Sequence, residues 1–425
     1  MTVHDYLWHH FFNPGRVHEI EDHSVTPRRG KPTRMSLAFE KWRQRRLPIT
    51  LIAASVVVVG LIAATASINY PTASAALKIR GADISFTLQE ENNNQSLTDN
   101  GQTAPIETIL AQHGANYARF RIWVDPPKGT SDLDSALILA RRAHAAGLHI
   151  LLDLHYSDSW ADRTSQQTPA AWQGLAVAEL RSTVQTYTRE VVAAFARQGT
   201  AADIVQIGNE TTHGMLWPSG QIYKQTGEDW SGYAELVKAG IKGAKEATPG
   251  ESPLIMLHID TGGDQEASAY YFDHVLEQGI SFDLIGLTYY PFWNGPLAGL
   301  QRNLENLAGR YGKDILIAET AYPWTLSSAD NTPSVVTSLD SLPDAAAHPP
   351  TPQGQATYFA ALNRILREVP NGHGVGYLIW EPGWLPGVPA DARTGNAHTN
   401  LTLFNWWGHG LPALDAFQPT GTTGH

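Results

Sequence analysis

Two glutamates in this chain stand where short apolar runs give way to polar residues. Glu210 closes Gln206-Ile207-Gly208-Asn209-Glu210, and Glu319 closes the run 314–319. Two carboxyl groups facing each other are the minimal machinery for cleaving a glycosidic bond. One protonates the leaving oxygen, and the other attacks the sugar carbon or activates water. A separation of about 5–5.5 Å retains the anomeric configuration and a wider one inverts it. The chemistry requires the two groups to differ, one protonated and one ionised at working pH. Either glutamate alone reads equally well as an arginine partner or a helix cap. Together, with Asn209 beside Glu210, they read as a catalytic pair.

The other runs end in the same manner. One ends Arg119-Phe120-Arg121-Ile122-Trp123, another Asp153-Leu154-His155 with Trp160 shortly after, and a third His258-Ile259-Asp260. Three more end Tyr289-Tyr290-Pro291-Phe292-Trp293, Glu319-Thr320-Ala321-Tyr322-Pro323-Trp324 and Trp380-Glu381-Pro382-Gly383-Trp384. Seven of the thirteen Trp (Trp123, Trp160, Trp217, Trp293, Trp324, Trp380 and Trp384) fall in or just beyond these endings. Indole faces suit the flat C–H faces of sugar rings. We expect Asn209, Arg121, His155 and Tyr290 to support the pair. Arg121 is expected to keep the nucleophilic carboxylate ionised, with Arg119 a structural residue one layer deeper. Asp153, Trp160, His258, Asp260, Tyr289, Trp293, Trp324, Trp380 and Trp384 are expected to line the substrate site. His155, His258, Asp153, Asp158, Asp162 and Asp260 also allow a metal site, but no H-E-x-x-H helix or EF-hand loop is present. Orienting hydrogen bonds are the preferred reading, and no cofactor is required.

These endings need a scaffold that gathers them. Short apolar runs at 79–85, 116–124, 148–155, 203–208, 253–259, 283–289, 314–319 and 374–381 alternate with helical patterns. Between the second and third runs, Leu133, Ala136, Leu137, Ala140 and Ala143 recur at helical spacing, and Gly147 supplies a stop. Strand–helix alternation implies parallel strands with right-handed crossovers. Eight such units close most economically into a (β/α)8 TIM barrel, whose chemistry sits at the strand C-termini. An open doubly wound sheet is the alternative, weakened by the lack of a Gly-rich phosphate loop.

Composition sets the boundaries. The 425 residues carry a formal charge of −11 and no Cys, which removes disulfides, thiolate nucleophiles and cysteine-bound metals. The acidic balance excludes nucleic acid as a partner. Residues 1–46 hold nine basic and five acidic side chains, leaving −15 for the remainder. An uncharged apolar run over 47–67 follows, long enough to span a bilayer, with Lys41, Arg43, Arg45 and Arg46 before it. It reads as a transmembrane anchor, or as a signal segment cleaved near Ala66 with Met35 as the true start. Both place the rest outside the cytoplasm. A linker at 68–76, a catalytic domain at 77–418 and a disordered tail at 419–425 complete the organisation.

The ordered set of endings resembles glycoside hydrolase family 53, the arabinogalactan endo-β-1,4-galactanases, within the clan A retaining barrels. The matching segments include Gly81-Ala82-Asp83-Ile84-Ser85, Arg121-Ile122-Trp123-Val124-Asp125-Pro126, His155-Tyr156-Ser157-Asp158-Ser159-Trp160-Ala161-Asp162 and Gly214-Met215-Leu216-Trp217-Pro218. Ile285-Gly286-Leu287-Thr288-Tyr289-Tyr290-Pro291 and Trp380-Glu381-Pro382 continue them, from about Gly81 to Phe417. The resemblance implies Glu210 as acid/base, Glu319 as nucleophile, Asn209 on the sugar 2-hydroxyl, and β-1,4-galactan of type I arabinogalactan as substrate. It further implies a monomer; some bacterial members hold a structural calcium in long loops, and Asp330 and Asn331 are the candidate ligands for one here. Arg163, Thr211, Thr261, Asn294 and Gly383 depart from the family pattern, and Thr261 and Asn294, expected near the cleft, put subsite affinity and product length in question. The rival readings are a clan relative cutting mannan or cellulose, and a non-catalytic glycan-binding barrel.

Overall fold

A computed structural model describes residues 76–250, 252–389 and 395–419. The expected leader (1–46), apolar run (47–67), nearly all of the linker and the tail from residue 420 lie outside these. Eight strands close a barrel: β1 (Ile79–Asp83), β2 (Tyr117–Ile122), β3 (His149–Leu154), β4 (Ile204–Ile207), β5 (Leu254–Ile259), β6 (Leu284–Thr288), β7 (Asp314–Thr320) and β8 (Gly374–Trp380). Every barrel pair is parallel, and β1 closes the ring by pairing with both β8 and β2. All eight expected strands are present within a few residues of their expected bounds. Short two-stranded ladders in the loops, such as Gly214–Met215 with Gly220–Gln221, were not anticipated.

The helices follow from local chemistry. In Leu133–Ala145 the Asp132 side chain caps the start by accepting the Ser135 N–H at 2.9 Å, and Gly147 takes a φ of 85° just past the end. Leu297–Tyr311 buries Leu300, Leu304, Leu307 and Ala308 on one face, the period that turns an apolar stripe towards the barrel. Gly312 then ends it in the left-handed region at φ 57°.

Strand alternation divides the residues between two cores. Phe120, Ile150, Leu152, Val205, Ile207, Ile255, Leu257, Ile285 and Leu287 point outwards and pack beneath the helices. Ile79, Leu151, Ile204, Met256, Leu284, Leu316, Ala318, Val375 and Leu378 form a separate apolar cluster. It fills the lower barrel interior as a floor. Above it, continuing the inward positions, come Asp83, Arg119, Asp153, Gln206 and His258, all fully buried. β7 breaks the alternation. Thr288 pairs with Glu319 directly after Leu287 pairs with Ile317, so β7 carries one extra residue there, and its pairing with β8 slips similarly between Ile317 and Thr320. Ala318 therefore joins the floor and Glu319 also turns inwards, while Thr320 faces Tyr358 on the outer helix at 3.4 Å.

Among the described residues no helix is long and apolar enough to cross a membrane. The floor makes a stability prediction. Leu316→Ala, which opens a cavity at a fully buried position, should lower the unfolding free energy by about 2–5 kcal/mol in denaturant titration. A loss under about 1 kcal/mol would show that the floor collapses around the gap rather than holding its packing.

Candidate active site

The polar layer is organised by one guanidinium. Arg119 is completely buried, and each of its five N–H donors has a partner. Nε donates to Gln206 Oε1 at 3.2 Å, and Nη1 to Asp83 Oδ2 at 3.1 Å and Glu319 Oε1 at 2.8 Å. Nη2 donates to Asp153 Oδ2 at 2.8 Å and Asn209 Oδ1 at 2.9 Å. Burial works against the charge, but Asp153, Glu319 and Asp83 outweigh it and fix Arg119 as a cation. Burial likewise opposes ionisation of Asp153, yet Arg119 and His155 hold its carboxyl at about 2.

Glu210 reaches this layer through strained backbone. Gly208 leaves β4 at φ 80°, where a Cβ would meet Thr211 Cγ2 at 2.5 Å. Glu210 itself is left-handed (φ 46°, ψ 51°), which costs an L-residue on the order of 1–2 kcal/mol. The Gln166 amide holds this corner by donating to the Asn209 carbonyl at 2.7 Å. The Glu210 carboxyl then lies 2.6 Å from Thr288 Oγ1, and Thr288 pairs in register with Glu319, so two strands three apart converge on one spot. Burial, followed by the charges of Glu319 and Asp260, pushes the Glu210 carboxyl well above the usual range.

Glu319 is also raised by burial, but Arg119 pulls against that shift through charge and a direct hydrogen bond. The Tyr290 hydroxyl donates to its other oxygen over a long 3.4 Å. Among the described residues no such cation acts on Glu210. Of two buried acids, Glu319 therefore gives up its proton first and Glu210 keeps one, the division of labour a glycosidase pair needs.

The arginine assignment from sequence is corrected. Arg121 does not touch Glu319. Its guanidinium sits over the rings of Trp160 at 4.4 Å and Phe86 at 4.7 Å, meets Glu381 Oε1 at 3.4 Å, and bonds Ser131 Oγ at 3.2 Å. Both arginines face inwards, but the long side chain of the deeper one carries its head up to the carboxylates. The higher one is drawn into the aromatic wall.

Other expected contacts lie behind the site rather than in it. Asp153 and His258 are fully buried and spend their polar atoms on Arg119, Gln206, Asn209 and Thr288. Tyr289, adjacent to inward-facing Thr288, points out of the barrel and donates to the Gly295 carbonyl at 2.7 Å. Trp384 is buried, stacked on Phe86 at 4.4 Å, and donates to the Val388 carbonyl. These four cannot line a substrate cleft. His155 lies under Trp123, accepts its indole N–H at 3.2 Å, and bonds Asp153 at 2.9 Å, so it orients the carboxylate that orients Arg119. Asp260 accepts from Thr212 at 2.5 Å and meets Arg163 at 3.3 Å.

Trp160, Trp293 and Trp324 are half-buried and present indole surface at the strand C-termini, and the nearly buried Trp380 stands 6.2 Å from Trp160. Asp330 accepts the Thr332 N–H at 2.7 Å as a local turn, and no group of three or more His, Asp or Glu gathers as a metal site among the described residues. The carboxyl groups converge on a guanidinium, and the calcium expectation gains no side-chain ligand set here. Sequence reasoning passed over Gln206 and Thr288. The available signal was a polar side chain at an inward position of an otherwise apolar strand.

Residues 79–417 match the family model for glycosyl hydrolase family 53. An arabinogalactan endo-β-1,4-galactanase A of Emericella nidulans is 38% identical over 340 residues, covering 78% of this chain and 91% of its own. Among solved structures, the catalytic domain of family 53 from Ignisphaera aggregans superposes with a TM-score of 0.75 at 32% identity, covering 80% of this chain and 96% of that one. A chain from a structure of two fungal β-1,4-galactanases gives 0.70 at 34% identity, covering 81% and 99%. With the family model spanning most of its length and a closed eight-stranded barrel beneath the match, this chain belongs to glycosyl hydrolase family 53.

Proposed function

We propose that this chain is an exported, monomeric endo-β-1,4-galactanase that hydrolyses the galactan side chains of type I arabinogalactan with retention. The observation that carries the catalytic assignment is the unequal setting of two buried glutamates: Glu319 bonds Arg119 at 2.8 Å, while Glu210 faces acidic neighbours. Glu210 protonates the glycosidic oxygen as the bond to the anomeric carbon breaks, and Glu319 forms the glycosyl-enzyme. Glu210, now ionised, takes a proton from water as that water releases the sugar. Asn209 contacts the 2-hydroxyl through its amide, held by the Ala161 carbonyl at 2.9 Å and by Arg119. The names of the relatives supply the substrate class, and the half-buried indoles suit a sugar chain. The scheme calls for no cofactor. Export rests on the basic cluster and the apolar run at 47–67, and N-terminal sequencing of protein recovered from the medium tests it. A start near Ser67 indicates cleavage, while retention in the membrane indicates an anchor.

Glu319→Gln should reduce turnover of linear β-1,4-galactan by at least about 10³-fold with the fold intact by circular dichroism. Hydrolysis near the wild-type rate would remove Glu319 from its role. NMR of the first products should show the β-anomer before mutarotation; initial α-anomer would require an inverting pair. The pH profile of kcat/KM should be bell-shaped, its acid limb set by ionisation of Glu319 and its basic limb by loss of the Glu210 proton. Arg119→Lys weakens the hold on the Glu319 carboxylate, so its acid limb should move to higher pH. Arg121→Lys should leave that limb in place, and the reverse pattern would restore the assignment made from sequence.

A further inference from the structure

Thr288 performs no step in the scheme above, yet it touches the acid/base. Four contacts run in series: Arg119 Nη2 to Asn209 Oδ1 at 2.9 Å, Asn209 Oδ1 to His258 Nδ1 at 2.9 Å, His258 Nε2 to Thr288 Oγ1 at 2.9 Å, and Thr288 Oγ1 to Glu210 Oε1 at 2.6 Å. The direction of each bond follows from its neighbours. Asn209 Nδ2 donates to the Ala161 carbonyl at 2.9 Å, so the arm that meets Arg119 is the amide oxygen. An amide oxygen only accepts, so His258 Nδ1 carries a hydrogen. Two donors also approach that nitrogen, Gln206 Nε2 at 3.1 Å and the Glu210 backbone N–H over a long 3.5 Å. The Asn209 oxygen at 2.9 Å is nearer than either, and the Gln206 hydrogens have closer acceptors in Asp153 Oδ1 at 2.6 Å and the Gly208 carbonyl at 3.0 Å. Burial and the charge of Arg119 keep the imidazole neutral. Nε2 is therefore a lone pair, and the Thr288 hydroxyl donates to it. A hydroxyl has one hydrogen, so towards Glu210 it presents only lone pairs. Two oxygens 2.6 Å apart then need a hydrogen from the carboxyl side.

We propose that Thr288 and His258 are positioning residues forming a one-way hydrogen-bond chain, anchored on Arg119 through Asn209, that accepts the carboxyl proton of Glu210 and keeps it the acid of the pair at rest. The inference rests on Glu210 being the acid/base. When Glu210 gives its proton to the leaving oxygen, either its Oε1 meets a lone pair or Thr288 turns and abandons His258 Nε2. Both penalise the ionised form and favour recovery of a proton from water. The groups around Glu210 are Glu319 from β7, Asp260 after β5, Asp162 in the loop after β3, and Tyr290 after β6. Around His258 they are Arg119, Asp153 and His155. All of these stay in place when Thr288 alone is changed.

The sign of one shift decides the matter. A hydroxyl that accepts from the acid raises its pKa, whereas one that donates to the carboxylate lowers it. Thr288→Val, which deletes the hydroxyl and keeps the shape, should move the basic limb of kcat/KM on linear β-1,4-galactan down by about one pH unit. Thr288→Ser should leave it near the wild-type position. An upward shift, or none, in the valine variant overturns the proposal. A second readout needs no substrate. In protein carrying 15N-imidazole histidine, the His258 signals, assigned by their loss in His258→Asn, should be those of a neutral ring protonated at Nδ1. An Nε2–H tautomer or an imidazolium would overturn the chain even if the valine variant failed to fold. Wild-type protein inactive on galactan would refute the catalytic reading while this tautomer test still stood.

Discussion

Everything in the upper barrel depends on burying one positive charge completely. Arg119 has no contact with solvent, and a lone guanidinium there would be prohibitively unstable. Asp83, Asp153 and Glu319 therefore arrive from three other strands and Gln206 from a fourth, with Asn209 beyond it. The dependence runs both ways, because each of those carboxyl groups is also buried and needs the cation. Such a cluster adds little net stability over an apolar core, but removing one partner costs about 3–5 kcal/mol. What it supplies is position, since a planar fork with five filled donors leaves its partners few other arrangements.

The same geometry turns two chemically identical side chains into different reagents. Glu319 ends a strand beside a cation, and Glu210 ends one among carboxyl groups and a hydroxyl. Neither glutamate carries its role within itself. The site also separates recognition from support. The aromatic wall of Trp160, Phe86 and Trp123 holds Arg121 on one side, leaving half-buried indole surface above. Asp153, His258 and Gln206 beneath spend their polar atoms within the protein, on Arg119, His155, Asn209, Thr288 and one another.

Much of this was legible in sequence. The eight strands follow from apolar runs bounded by turn residues, and the glutamate pair from carboxylates at two of their ends. Failures came where orientation mattered more than position. Tyr289 and Trp384 sit at strand ends but face packing, and alternation from inward Thr288 already turns Tyr289 outwards. Arg119 and Arg121 share a face, so periodicity cannot separate them, and only side-chain length and the tilt of the strands do so. Thr288 was passed over because a hydroxyl carries no charge to attract notice. The leader, by contrast, rests on composition alone.

The extra residue in β7 has a separate consequence. Along a regular strand inward and outward positions alternate, so a side chain's aim is fixed by counting; β8 departs from this low in the barrel, with an extra residue between Gly374 and Gly376. Glu319 breaks that count: it follows Ala318 on the same side. Its aim is thus stored in the length of the backbone between Ile317 and Thr320, where shortening by one residue would carry the carboxyl elsewhere without altering a single atom of it. At this position the chain's arithmetic is as much a catalytic property as the acid it delivers.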